Sequence, residues 1–128
     1  MNPDAREKVE VIDRAFADIP AGATMYVGTP QVVADYISHI PYGHTTTLQQ
    51  MRKDLAAEHR AEYCCPITAG IFLRIVAEAA YEQYVAGAKI SELAPFWRMI
   101  DRRTPVAKKL SFGYDFVAER RRAEGLPE

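Results

Sequence analysis

Residues 66–87, "PITAGIFLRIVAEAAYEQYVAG", decide the fold. Pro66 suits the first turn of a helix, where its missing N–H is no loss, and Gly87 suits the residue just past the end. Between them Ile71, Phe72, Ile75, Val76, Ala79 and Ala80 recur at three- and four-residue spacing, which predicts a long helix burying that face. Upstream, Thr47 with Gln50 three residues on is a capping-box pattern, and Leu48, Met51 and Leu55 predict a helix to about His59. Thr29-Pro30 opens another to about His39, with Val32, Val33, Tyr36 and Ile37 as its apolar face.

The remaining segments frame these three helices. Val9, Ile12 and Phe16 predict an amphipathic helix over Pro3 to Ala17, followed by a loop, "IPAGATMYVGT", at residues 19–29. Pro41 and Gly43 in "IPYGHTTT" form a turn. After the long helix, "FWRMI" at 96–100 reads as extended, "VAKKL" at 106–110 as a short helical turn, and Asp115 to Ala123 as a final helix. Two helices joined by a short turn and followed by an extended piece suggest a helix-turn-helix with a wing. The expectation is a mostly α chain, with residues 1–28 as an N-terminal helix and loop and 29–128 as a winged helix-turn-helix domain.

Composition bounds the function. At 128 residues and 48% hydrophobic content, the chain suits one globular unit. Net charge is -1, yet eight of the sixteen Lys and Arg residues fall between 98 and 122, against Asp101, Asp115 and Glu119, so a local basic surface is expected. No apolar run is long enough to cross a bilayer, and the charged start "MNPDAREKVE" is unlike a signal peptide; the cytoplasm and no membrane partner are the expectation. The adjacent Cys64 and Cys65 are poorly placed to bridge, and His39, His44 and His59 have no ligand spacing, so neither a structural disulfide, a metal nor another cofactor is expected. A monomer is expected.

The order "IPYGHTTTLQQM", "PITAGIFLRIVAEAA", "PFWRMI" and "KKLSFGYDFVAERRRAEG", over about residues 30–125, resembles the C-terminal DNA-binding domain of the O6-alkylguanine-DNA alkyltransferases and their alkyltransferase-like relatives. That resemblance implies a winged helix-turn-helix whose second helix enters the minor groove of double-stranded DNA while the damaged base is flipped into a pocket. The family's Ile-Pro-x-Gly turn stands here as Ile40, Pro41, Tyr42 and Gly43, and its threonines as Thr46 and Thr47, where a hydroxyl or N–H would hold a phosphate. Leu48 replaces the tyrosine that helps rotate the nucleotide. The base-replacing arginine aligns either with Arg74, by the Arg-x-Val string, or with Gly70, by the helix start. The resemblance therefore implies DNA contacts at Thr46, Thr47, Thr68, Ala69, Gly70, Arg74, Arg98, Arg102 and Arg103.

The family's acceptor motif Pro-Cys-His-Arg-Val is here Pro95, Phe96, Trp97, Arg98 and Met99. A phenyl ring accepts no alkyl group and an indole activates no thiolate, so the family's transfer chemistry is excluded at this position. Phe96 and Trp97 are large enough to fill the family's pocket as core residues beside Pro95. Three functions follow. The first is a non-catalytic DNA-binding protein of the alkyltransferase-like type, linked to alkylation damage. The second is a protein-interaction module that kept the fold and lost DNA binding, a reading favoured by Glu78 and Glu82 on the presumed recognition helix. The third is a thiol-dependent alkyl acceptor at Cys64 or Cys65, where a helix N-terminus, with His59 or Arg60 nearby, would favour a thiolate. Against the third, a buried cysteine pair packs as small hydrophobes.

Overall fold

A computed structural model describes residues 7–128. It is a mixed α/β fold with a small sheet, which corrects the mostly α expectation. Three strands, β1 (Lys8–Val11), β2 (Thr24–Val27) and β3 (Tyr63–Cys64), form a sheet in that order. Of four helices, α1 (Pro30–Ser38), α2 (Leu48–Glu58), α3 (Pro66–Val85) and α4 (Asp115–Ala123), α2 packs beside it, α1 packs on α3 and α4 on one of the 3-10 turns, which lie at Ile90–Glu92, Phe96–Arg98 and Pro105–Lys109.

The helix ends follow from local chemistry. Thr29 and Thr47 accept the N–H groups of Val32 and Gln50, satisfying donors that the first helical turn leaves free. The Gln50 side chain reaches forward to Asp54 rather than back to the cap, so only half of the capping box forms. α2 ends in a pair of bonds, Ala61 N–H to the Ala56 carbonyl and Arg60 N–H to that of Ala57. These put Arg60 at φ 56°, where glycine is the usual residue. α3 closes the same way through Gly87 at φ 108°.

The predicted N-terminal helix is not present over residues 7–17; its first residues, 3–6, lie outside the described chain. Residues 8–11 are extended instead because β1 pairs antiparallel with β2, setting Val9 against Tyr26, although Val9 and Val11 both stay exposed. Ile12 and Phe16, which had supported the helical reading, pack from a loop against Ile19, Ala23, Met25 and Cys65. The expected loop at 19–29 likewise contains β2. Alternation along β2 sends Met25 to that small cluster and Tyr26 to the main core, while the parallel β2–β3 pairing sets Tyr26 against Cys64 and joins residues 7–28 to the rest. "FWRMI" is not extended either: Phe96–Arg98 is a 3-10 turn.

The largest revision concerns which face of α3 is buried. Ala69, Leu73, Val76, Ala77 and Ala80 face the core, against α1, α2 and the 3-10 turns. Ile67, Ile71 and Ile75 stand 54%, 50% and 45% exposed. Of the face expected from sequence, Val76 and Ala80 are buried, Phe72 is half-buried, and Ile71, Ile75 and Ala79 are exposed. Leu73→Ala is expected to cost about 2–5 kcal/mol in urea unfolding, as buried leucine truncations do, and Ile71→Ala under about 1 kcal/mol. Equal costs would contradict this orientation of the helix.

Candidate binding surface

Around residues 95–99 the chain is closed. Phe96 and Trp97 are 0% and 1% exposed. The Phe96 ring meets Trp97, Phe112 and Phe116 at centroid distances of 5.4 to 5.9 Å, in edge-on and stacked arrangements. Aromatic rings thus fill the space around residues 96 and 97, and Pro95 is buried beside them.

Arg98 is committed to the interior. Its Nε and Nη2 donate to both carboxylate oxygens of Glu124, at 2.8 and 3.0 Å, and its Nη1 donates to the Ile40 carbonyl at 2.7 Å. The same carboxylate accepts the Trp97 Nε1–H at 2.6 Å and the Gly43 N–H at 3.0 Å. Burial alone pushes the Glu124 pKa up. The hydrogen bonds from Arg98, Gly43 and Trp97 outweigh it and hold the group below its ordinary range. Arg98 is therefore engaged in structural contacts inside the fold. Arg121 is also buried, donating to the carbonyls of Trp97, Ile100 and Pro127. Arg102 lies 4.9 Å over the Tyr114 ring and within 3.7 Å of Glu128.

The cysteines are buried as well. Burial pushes Cys64 up to about 11, and the Arg52 charge does not offset it. Arg52 instead donates to the Cys64 carbonyl and to both carboxylate oxygens of Asp18, tying α2 to the loop between β1 and β2. Cys65 begins α3 with its N–H bonded to the Tyr26 carbonyl. His59 stacks on Tyr26 at 3.8 Å and faces Glu7, and Arg60 is exposed. Both thiols pack in the interior, Cys64 in the main core and Cys65 in the small cluster beside Met25.

Two of the open clefts adjoin residues singled out from the sequence, one at the start of α2 and one along α3. A cleft of about 300 Å³ gathers Thr46, Thr47, Arg103 and Thr104. The Thr46 N–H is already donated to the Arg98 carbonyl, and the Thr47 hydroxyl oxygen caps α2, so neither backbone group nor cap is wholly free. Asp101 stands in the same cleft. Burial raises its pKa, but the N–H groups of Arg103 and Thr104 and the Thr104 hydroxyl bring it below the ordinary range, so an anion faces any incoming phosphate. Next to it, a groove of about 810 Å³ is floored by Ile67, Ile71 and Ile75 and walled by Leu48, Pro105 and Val106. Leu48 and Pro105 belong to both. Gly70 and Arg74 border the larger groove, Thr68 is half-buried, and Ala69 is buried and out of reach.

Sequence reasoning missed the isoleucine floor because it assigned Ile71 and Ile75 to the core. No transmembrane-length apolar helix and no metal-competent cluster of His, Cys, Asp or Glu occurs among the described residues. Comparison with family models, curated proteins and solved structures returned no match.

Two outcomes test this arrangement. Both native thiols are expected to resist a disulfide reagent at pH 8 and to react once the protein is unfolded; fast native labelling would restore the thiol reading. Glu124, with its pKa depressed on folding, stabilises fully above the unfolded value near 4.5, and that contribution is lost as pH falls through the lower folded value. Glu124→Gln should therefore lower stability at pH 7 while flattening the acid-side loss. Urea midpoints at pH 7 and 3 measure both effects.

Proposed function

We propose that this chain is a non-catalytic protein-interaction module built on an alkyltransferase-type winged helix-turn-helix, with α2 and α3 as the helix pair. The Ile40-Pro41-Tyr42-Gly43 turn, the Thr47-capped α2 and the proline-started α3 support that scaffold assignment. One observation carries the function: the helix that would read DNA presents Ile67, Ile71 and Ile75 to solvent at four-residue spacing, along an apolar groove. A contiguous apolar stripe rimmed by charge is the signature of a protein contact. Burying the exposed halves of these three side chains is worth roughly 2–4 kcal/mol at the usual area coefficient.

A second reading, non-catalytic binding of double-stranded DNA, is favoured by the threonines at 45–47 beside Arg103, with Arg74 and Lys109 on the adjoining groove. Counting against it are the internal use of Arg98 and Arg121 and the carboxylates Asp101, Glu78 and Glu82 on the same side. The aromatic packing around Phe96 and Trp97 counts against base flipping in either reading.

Anisotropy titration with plain and O6-methylguanine duplexes separates them. Under the interaction reading, duplex affinity stays within the non-specific range of about 10⁻⁴–10⁻⁶ M, is equal for both duplexes, and is indifferent to Ile71→Asp. Tight binding with a steep salt dependence, lost in Arg74→Ala and Arg103→Ala, would instead establish the DNA reading.

A further inference from the structure

β1 lies at one edge of the sheet. Ile12, one step beyond the strand, donates its N–H to the Ala23 carbonyl at 3.0 Å and accepts the Gly22 N–H at 2.8 Å, so its backbone faces β2. Antiparallel alternation then turns the backbone groups of Lys8 and Glu10 toward β2 and those of Val9 and Val11 outward. Among the described residues no loop or helix backbone meets the Val9 or Val11 N–H, and both side chains are exposed. A row of unpaired N–H and C=O groups is a template for another strand.

The side chains decide which strand fits. An antiparallel pairing of β1 with a second copy of itself must set outward-facing residues against outward-facing residues, which leaves few registers. Val9 against Val11 opposes Glu10 to Glu10. A shift the other way opposes Lys8 to Lys8, and centring on Val11 opposes Lys8 to Arg14. Centring on Val9 sets Lys8 of each copy opposite Glu10 of the other, with Val9 against Val9 on the opposite face. In that register the Val9 pair exchanges both backbone bonds. The two Lys8–Glu10 pairs fall at the closer, non-hydrogen-bonded positions, where opposite charges attract across strands. Lys8 and Glu10 of one strand already lie 3.1 Å apart, so the four charges alternate in sign around the axis. A lysine on an edge ordinarily guards it against pairing, but here the same strand carries its complement two residues on.

We propose that two copies of this chain associate through β1, antiparallel about a two-fold axis at Val9, so that their sheets become continuous. Self-complementary charge in a single register selects a second copy over a strand of another protein. The association goes beyond the monomer expected from the sequence and uses none of the residues along α3. A four-residue edge buries little area, so the dimer is weak and reversible.

Sedimentation velocity of the full chain over a wide concentration range tests it. The wild type is expected to shift reversibly from monomer to dimer as concentration rises. Val9→Pro removes the outward N–H without touching the ladder to β2, and proline is tolerated at such an edge position; it should weaken the dimer at least about tenfold. Lys8→Glu and Glu10→Lys each place like charges across the axis and should weaken it by a similar factor. Mixing these two variants restores opposite charges at both positions, so the mixture should dimerise about as well as the wild type. Circular dichroism and thermal melting confirm that each variant is folded, and recovery in the mixture shows it independently for the charge variants. A chain that stays monomeric at every concentration overturns the proposal, as does a dimer indifferent to Val9→Pro. A dimer lost in Val9→Pro but indifferent to the charge changes, or not recovered in the mixture, overturns the register and with it the choice of a second copy.

Discussion

Four N–H donors converge on one carboxylate. Glu124, at the end of α4, accepts from Gly43 in the turn before α2, from the Trp97 indole, and twice from Arg98. Those donors come from two segments far apart in the chain, so a single side chain fixes the entry to α2, the Phe96–Arg98 turn and the terminus of α4 relative to one another. A buried ion pair with every lone pair engaged is costly to break, because removing one partner strands a charge, on the order of 3–5 kcal/mol. The Arg98 bond to the Ile40 carbonyl completes the clamp. Once it is closed, Phe96 has nowhere to go except against Phe112 and Phe116.

That clamp explains why a motif that looks like a vacated acceptor site is solid core. An arginine at position 98 reads from sequence as a cation available to DNA, and its use depends entirely on whether a carboxylate lies within reach. Glu124 is 26 residues away, beyond any local pattern. Arg121 is similar: it sits in a run of three arginines that reads as a solvated face, yet it is buried on carbonyl oxygens of the 97–100 segment. Long-range polar pairing is the part of a structure that single-residue reasoning is least able to supply.

Local chemistry was legible. The caps at Thr29 and Thr47, the proline starts of α1 and α3, the glycine stop at Gly87 and the extent of α4 all follow from interactions within a few residues. The strands were not, because β1 and β2 are four residues each and depend on pairing with one another and with β3, partners distant in the chain. The site was misread for a different reason. α3 is apolar on two faces, so spacing alone admits both the Leu73 stripe and the Ile71 stripe. Packing decides between them: Ala69, Ala77 and Ala80 let α3 approach its neighbours closely, whereas a face bearing Ile67, Ile71 and Ile75 would hold it away.

The exposed isoleucines then acquire meaning from what the fold has already consumed. Of the basic residues that a DNA contact would draw on, Arg98 and Arg121 hold the interior together, and Arg102 and Arg122 lie against Glu128. Arg74 and Lys109 are left beside an apolar floor that Glu78 and Glu82 also border, with Arg103 in the neighbouring cleft. Phosphate binding gains from many dispersed cations, whereas a helix docked in a groove needs an apolar seat and one or two well-placed charges. The groove beside α3 has the second composition, and its isoleucines are three side chains that the protein's own core does not use.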